Sequence, residues 1–239
     1  QYWRKHLEGI EEPLDWELPD KQSTAAQPEH DTGAQRSTGE CVTQLPSAVS
    51  EGLERFARKH GLTMANVLQS LFMLLIGRLS GRTQVTIGVT RNGRNAPRAG
   101  IERAVGLYIG TMPLRAHIEP GTKLVAWIQE IQREFALQEE HQHLGMQALQ
   151  QLVGVSELFD MLFVFENYPT DNKASEFAPD LRIESLSGKD ATHYRLALSA
   201  IPNPAGLTLR VMHDPSRCSD QQVACLLDHF KVMLNELAS

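Results

Sequence analysis

Long apolar runs are missing from this sequence. No stretch of about 18 apolar residues, the length that a membrane-spanning helix needs, occurs among its 239 residues. The longest candidate, residues 67–79, is interrupted by Gln69, Ser70, Gly77 and Arg78. The N-terminus begins with aromatic and basic residues rather than with the apolar core of a signal peptide. The sequence therefore predicts a cytoplasmic chain that makes no contact with a membrane.

Cysteine is scarce, and its pattern excludes two classes of protein. Cys41, Cys218 and Cys225 are the three cysteines, and none of them forms a CxxC pair. An odd count without that pair argues for a reducing compartment and against a disulfide framework or a structural zinc site. We interpret the three thiols as small buried side chains.

An excess of positive charge is also missing. The chain has 23 Lys and Arg residues against 29 Asp and Glu residues, which gives a formal net charge of −6. A protein that binds nucleic acid needs a broad positive field to hold the phosphate backbone. The composition therefore predicts no nucleic-acid partner.

Familiar catalytic motifs are absent as well. There is no Gly-x-Ser-x-Gly nucleophile elbow, and residues 88–93 do not match a phosphate-binding glycine loop. His141 and His143 resemble a ligand pair, but they are predicted at a helix end, where residues two apart point about 200° away from each other. No third ligand stands near them in the sequence, so no metal site is expected.

The stretch 84–115 is the most informative part of what is present. Residues 84–89 alternate between apolar and polar side chains, as a half-buried strand does. Residues 105–114 are almost continuously apolar, which is typical of a strand covered on both faces. Between them, residues 88–103 read as a long insertion that carries four arginines: Arg91, Arg94, Arg98 and Arg103. A loop of this length is normally functional, although a solvated polar loop remains the alternative.

The remaining pattern predicts a mixed order of helices and strands. Helices are expected at 2–7, from Ser47 to Gly61, from Thr63 to residue 79, from Thr122 to near His141, at 146–152 and after a capping box at Ser219 and Gln222. Strands are expected at 40–45, 158–165, 181–186, 195–201 and 207–213, with a turn at 203–206. Residues 20–39 and 167–178 are polar, and 20–39 is expected to be a mobile loop. This order favours an α/β fold, a two-layer sandwich with a mixed sheet.

Several of these segments together carry a family resemblance. The segments GVTRNGR and GIERAVGLYIGTMPLR resemble the glycine–arginine loop and the following strand of condensation domains from nonribosomal peptide synthetases. Tyr2-Trp3, Leu7-Glu8-Gly9, Glu17-Leu18-Pro19, His141-Gln142 and FDMLFVFENYP at 159–169 follow in that family's order. The whole chain, 1–239, is similar to the C-terminal lobe of such a domain, a half-domain of the chloramphenicol-acetyltransferase-like fold. A preceding segment is expected.

The resemblance implies roles for particular segments. Residues 88–103 would cross beneath a channel as a floor loop to the other lobe, and 166–187 would act as a latch. Residues implied in the substrate tunnel or at the interlobe surface are Gly88, Arg91, Arg94, Gly106, Thr111, Arg115, His141, Gln142 and Asn167. For Arg115, a buried salt bridge and a positional role at that surface are both open. The chain departs from the family where His143 follows Gln142 and where Gly110 replaces the usual asparagine.

The family's catalytic signature, two adjacent histidines followed by Asp-Gly, is absent, since none of the nine histidines stands next to another. The resemblance therefore implies peptide-bond formation by the parent protein and no catalytic residue in this chain. Its partners would be the N-terminal lobe, upstream and downstream carrier domains that present phosphopantetheine, and an adenylation domain C-terminal to it. No cofactor would bind directly, and the isolated lobe could self-associate. Half of a coenzyme A- or carrier-dependent O-acyltransferase and a non-catalytic carrier-docking module are the alternatives.

Overall fold

A computed structural model describes residues 1–10, 13, 38–93, 100–101, 103–166 and 192–239. The helices in these ranges are α1 (Tyr2–His6), α2 (Ser47–Lys59), α3 (Met64–Ser80), α4 (Leu124–Leu137), a 3₁₀ turn (Gln138–His141), α5 (Met146–Val153) and α6 (Asp220–Ala238). The strands are β1 (Gly39–Pro46), β2 (Gln84–Asn92), β3 (Ile109–His117), β4 (Met161–Phe165), β5 (Leu196–Asn203) and β6 (Gly206–His213).

The six strands form one mixed sheet in the order β1-β6-β5-β4-β2-β3. β4 pairs in parallel with both β5 and β2, whereas the other neighbours are antiparallel. The predicted α/β class with a mixed sheet is therefore confirmed. Because β2 and β3 are consecutive antiparallel strands, the ends of the segment between them meet at one corner of the sheet.

Two clusters of buried side chains hold the elements together. The larger cluster joins α2, α3, α4 and α6 to the sheet, with α3 at its centre. α3 carries apolar side chains on nearly every side, and eleven of its seventeen residues are buried. Its sequence predicted burial on more than one side. A smaller cluster packs α1 and α5 against Met112, Leu158 and Phe159. It fixes the N-terminal helix beside the edge strand β3.

Most helix ends agree with the sequence, and two do not. Thr63 accepts a hydrogen bond from the Asn66 amide at the start of α3, and Ser219 with Gln222 forms the predicted capping box of α6. Ser47 is the first helical residue of α2 rather than its cap, and the cap of α4 is Lys123 rather than Thr122, in neither case with a side-chain hydrogen bond. A one-residue error of this kind is ordinary where no capping side chain fixes the boundary.

The β2–β3 hairpin corrects the sequence reading most. β2 continues to Asn92, which pairs with Ile109, so residues 88–92 form part of the strand rather than of an insertion. β3 begins at Ile109 instead of residue 105, and it is an edge strand that runs past Arg115 to His117. Val105 and Leu107 lie outside it, with exposed fractions of 102% and 88%.

The other strand boundaries shift by small amounts. β4 is shorter than predicted because Leu158 and Phe159 precede it and pack in the smaller cluster. The turn at Pro204 and Ala205 joins β5 to β6 as expected. Gly39 belongs to β1, so the predicted mobile loop 20–39 is wrong at its last residue. The rest of that loop up to residue 37, the strand 181–186 and the latch 166–187 beyond Glu166 lie outside the described residues.

In the described part of the chain, no single helix is both long and apolar enough to cross a membrane, and only α2 and α3 taken together, bent by 102°, reach that hydropathy.

Candidate functional site at the β2–β3 edge

Arg91 lies at the end of β2 and is buried, with an exposed fraction of 8%. Its guanidinium carbon stands 3.5 Å from the centre of the Phe135 ring, and its Nη2 donates to the Phe135 carbonyl and to Gln138 Oε1. Burial lowers the pKa of Arg91 to about 10, so the side chain remains a cation at neutral pH. The predicted placement of Arg91 in a crossing loop is therefore wrong, because Arg91 lies in β2 and links that strand to the end of α4. Its role at the interlobe surface stays a prediction.

Gln138 contacts three other residues of this arrangement through its side-chain amide. It is fully buried, and its amide nitrogen donates to the Pro113 carbonyl of β3 at 2.9 Å while its oxygen accepts from Arg91. Because an arginine side chain can only donate hydrogen bonds, the oxygen of the Gln138 side-chain amide must be the atom that faces Arg91. The same amide nitrogen lies 3.1 Å from Nε2 of His6. That nitrogen of His6 must therefore accept a hydrogen bond.

His6 is consequently neutral, with its proton on Nδ1. Nδ1 faces the carboxylate of Glu134 at 3.4 Å. Burial and the nearby charge of Arg115 lower the pKa of His6 to about 4. A protonated imidazole has no acceptor, so protonation would break the contact with Gln138.

Two aromatic residues of α1 contact the 3₁₀ turn that follows α4. Tyr2 stacks on His141 with ring centres 4.3 Å apart, and Trp3 Nε1 donates to the His141 carbonyl at 2.9 Å. Burial and the charge of Glu134 raise the pKa of Tyr2 to about 12. His141 thus positions the N-terminal helix, and Gln142 lies in the turn that follows.

The opposite face of β2 carries a second group of predicted residues. Gly88 lies under the ring of Phe159, and a Cβ at this position would collide with that ring. Phe159 stacks on Tyr194 at 5.6 Å, and the Tyr194 hydroxyl hydrogen-bonds to Thr111. Burial raises the pKa of Tyr194. Gly88 and Thr111 therefore belong to one packed layer, and Gly88 is not part of a loop.

Arg115 lies lower on β3, where its described partners are oxygens of amide groups. It donates to the carbonyls of His6 and Glu8, the latter at 2.7 Å, and to the side chain of Gln84. It borders both a cavity of about 500 Å³ between β2 and the start of β4 and a groove along α1. Of the two roles left open for Arg115, the positional one fits these contacts.

The remaining predicted residues are separate from these groups or lie outside the described ranges. Gly106 is exposed and lies in the segment that leads into β3. Gly93 donates its amide proton to the Tyr108 carbonyl at 2.6 Å, so the pairing extends one step past the strands. Arg94 and Asn167 lie outside the described residues.

Sequence reasoning missed Gln138 and His6, although one signal was available. The apolar stripe of α4 runs through Ile131 and Phe135, and a spacing of three places Gln138 next on the same face. A glutamine on a buried stripe indicates a polar group with a specific partner. His6 gave no comparable signal, because its partners are more than 100 positions away.

The arrangement can position groups but shows no nucleophile with a base beside it. Its described members are a buried cation, a neutral imidazole and two phenols of raised pKa. Elsewhere, Cys225 Sγ lies 3.8 Å from His229 Nδ1 one turn along α6, with the thiol buried. The edge of the sheet therefore supports a role in holding surfaces in place.

We expect acid to destabilise the fold through His6. The unfolded chain takes up a proton at this side chain below about pH 6.5, and the folded chain does so only near pH 4, so stability is present above pH 6.5 and is lost as the pH falls towards 4. The full difference amounts to roughly 3 kcal/mol. Urea denaturation from pH 7 to pH 4 measures it.

A variant pair isolates this contribution from the other acid-sensitive groups. His6→Gln should flatten the fall in stability between pH 6.5 and 4, whereas His143→Gln, at an exposed histidine, should leave it unchanged. If His6→Gln followed the same pH profile as the parent chain, the neutral, Gln138-bound imidazole would be wrong.

Comparison with known proteins assigns this chain to a family. The profile of the family described as "Condensation domain" matches residues 1–239. Chondramide synthase of Chondromyces crocatus is 34% identical over 228 residues, which cover 93% of this chain and 6% of that protein. A linear gramicidin synthase of Brevibacillus parabrevis is 29% identical over 245 residues, which cover 100% of this chain and 3% of the synthase.

Solved structures share the fold at low sequence identity. The X-domain from teicoplanin biosynthesis superposes with a TM-score of 0.78 at 18% identity, over 99% of this chain and 53% of that one. The condensation domain of the monacolin K polyketide synthase superposes with a TM-score of 0.76 at 14% identity, over 99% and 57%. The chain spans about half of each of these structures and a small part of the two synthases. Because the family profile matches along the full 239 residues, the chain belongs to the condensation-domain family.

Proposed function

We propose that this chain is the C-terminal half of a condensation domain that forms peptide bonds in nonribosomal peptide synthesis. The observation that carries the proposal is the family match over residues 1–239 in a sequence that has no pair of adjacent histidines. The catalytic histidines would then lie on an N-terminal lobe, and this half would supply one wall of the tunnel between the lobes.

The reaction joins two carrier-bound groups. The amine of an aminoacyl group on the downstream carrier attacks the thioester carbon of the upstream donor, so that a C–N bond forms and the C–S bond breaks. The amine loses a proton, and the thiol of the donor's phosphopantetheine arm leaves with one. That arm belongs to the carrier and enters as part of the substrate. Holding both arms in one tunnel makes the step effectively intramolecular, which is the main source of acceleration.

The role of this half is positional, and the site's contacts support it. Hydrogen bonds of Arg91, Gln138 and His6, all buried or partly buried, join β2, β3, α1 and the end of α4. This fixes the corner at which residues 94–107 leave and re-enter the sheet. A rigid tunnel wall is required to position the two carrier arms.

An exposed apolar surface beside that corner supports contact with the other lobe. Val105 and Leu107, which we call the hairpin flank, are almost fully exposed just before β3. Large apolar side chains that stay exposed next to each other mark interaction surfaces. We assign the hairpin flank to the interface with the N-terminal lobe, and in an isolated half it is available for self-association.

The double substitution Val105→Ser and Leu107→Ser tests this assignment. Each side chain contributes about 1.5 kcal/mol when it becomes buried, so association with a separately produced N-terminal lobe should weaken on the order of a hundredfold. Isothermal titration calorimetry measures the dissociation constant. Val232→Ser on α6, another exposed apolar position, is the matched control and should bind as the parent does. An unchanged dissociation constant in the folded double variant would remove the hairpin flank from the interface.

The proposal also covers the wider assembly. The relatives are named as synthases and are far longer than this chain, which supports upstream and downstream carrier domains and an adenylation domain as partners. A cytoplasmic location is part of the same proposal.

A further inference from the structure

Three metal-ligating side chains meet at the far end of the sheet from the hairpin. They are Cys41 of β1, His213 at the end of β6 and Asp220 at the first position of α6. One ligand atom from each lies within 4.8 Å of those of the other two. These residues are as many as 179 positions apart in sequence, so the fold alone brings them together.

The imidazole of His213 lacks the partners that a buried ring normally has. His213 is fully buried, and neither ring nitrogen has a hydrogen-bond partner among the described residues. Asp220 Oδ1 stands 2.9 Å from Nε2, but not in the geometry of an N–H···O bond. Buried polar groups are nearly always satisfied. A pair that is close without being hydrogen-bonded fits two ligands that point to one shared centre.

The backbone of β1 leaves room for the His213 ring. Gly39 pairs directly with His213 across β1 and β6, and a Cβ on Gly39 would collide with Nε2 and its neighbouring ring carbon. Cys41 is two residues along the same strand and therefore shares that face. The glycine allows the imidazole to lie over β1, where Nε2 stands 2.9 Å from the carboxylate of Asp220.

The start of α6 supplies the third ligand in a fixed place. The capping box of Ser219 and Gln222 sets the first turn, and Asp220 follows immediately. The Asp220 side chain is 80% exposed, so one side of the cluster is open to solvent. An acidic residue in a first helical turn also stabilises the helix by its favourable interaction with the helix dipole. That effect requires neither Cys41 nor His213.

We propose that Cys41, His213 and Asp220 bind a divalent transition metal, with zinc as the preferred ion and water as the fourth ligand. Thiolate, imidazole and carboxylate are the three ligand types that zinc takes in proteins, at distances of about 2.0 to 2.3 Å. Such ligands lie roughly 3 to 4 Å from one another around one tetrahedral ion. The Cys41 and Asp220 side chains reach solvent and can rotate to close this distance.

The bound ion would tie the edge strand β1 to the last helix. Sequence spacing argued against a structural zinc site because no CxxC pair exists, and it treated all three thiols as buried. Cys218 and Cys225 are buried, but Cys41 is partly exposed. The interpretation of Cys41 therefore holds only in part, because this thiol packs against the larger cluster and also reaches solvent. It is this thiol that the proposal uses.

Cobalt titration of the full 239-residue chain tests the proposal. Co²⁺ should produce a thiolate-to-metal charge-transfer band in the near ultraviolet and the intense visible bands of a tetrahedral ion, saturating at one equivalent. Zn²⁺ should displace it and raise the melting temperature. Cys41→Ser should lose the charge-transfer band, and Asp220→Asn should weaken binding and change the visible bands.

Cys225→Ser is the matched control, because it removes a thiol that also lies near a histidine but outside the cluster. It should keep the full cobalt spectrum. The proposal is overturned if the parent chain gives no thiolate band at one equivalent, since His213 and Asp220 would then form an ion pair only. A band that survives Cys41→Ser, one lost in Cys225→Ser, or a spectrum unchanged in Asp220→Asn would overturn it equally.

Discussion

Replacing residues 94–107 by a two-residue Asn-Gly turn should abolish peptide-bond formation in the two-lobed domain and leave the melting temperature of this chain nearly unchanged. Gly93 and Tyr108 are already paired, and Asn-Gly suits the tight turn that such a hairpin prefers. The strands need nothing longer, so the segment serves a purpose other than closing the hairpin. If it crosses to the other lobe, its removal opens the tunnel, and the rate should fall on the order of a thousandfold.

A second short turn provides the control. Pro204 and Ala205 join β5 to β6 with a tight connection, and exchanging them for Asn-Gly should affect neither activity nor stability. A melting temperature lowered by more than about 4 °C in the 94–107 replacement would correspond to roughly 1 kcal/mol or more. That result would assign the segment to the core of this half, and retained condensation would contradict the crossing role.

The larger helices were predictable because local pattern and burial agree in them. α3 is apolar on nearly every side, and Thr63 both reads as a cap and acts as one. α6 has a capping box that the structure reproduces. Where a capping side chain is present, the boundary follows from neighbouring residues alone. Where it is absent, as before α2 and α4, the boundary was misplaced by one residue.

The end of β2 could not be predicted, because its polar residues are satisfied from far away. Arg91 reads as a surface residue, and its burial depends on Phe135 and Gln138, more than 40 positions further along the chain. The start of β3 was predicted wrongly for the opposite reason. Val105 and Leu107 look like buried strand residues but are exposed. Apolar character in a sequence does not tell whether another part of the same chain covers the side chain.

The Cys41, His213 and Asp220 cluster shows the same limit for ligands. Each residue alone is unremarkable in sequence, and their contact arises only because β1 pairs with β6 and α6 begins beside them. Motif spacing detects ligands that share one loop or helix. Ligands that three separate elements contribute require the fold.

This chain alone should show no condensation, and an N-terminal lobe that carries two adjacent histidines should restore it. None of the nine histidines here has a histidine neighbour, and the described edge of the sheet offers groups that position rather than a nucleophile with a base. His6 is held neutral by contact with Gln138. Mixing the halves should raise turnover from background to a measurable rate, and replacing either histidine of the N-terminal lobe should remove most of that gain.

The most direct measurement is dipeptide formation from loaded donor and acceptor carriers, followed by mass spectrometry of the acceptor-bound product, with this chain alone and with both halves present. The account predicts product only when both halves are present, and loss of that product in the 94–107 replacement. Turnover above background by this chain alone would contradict it.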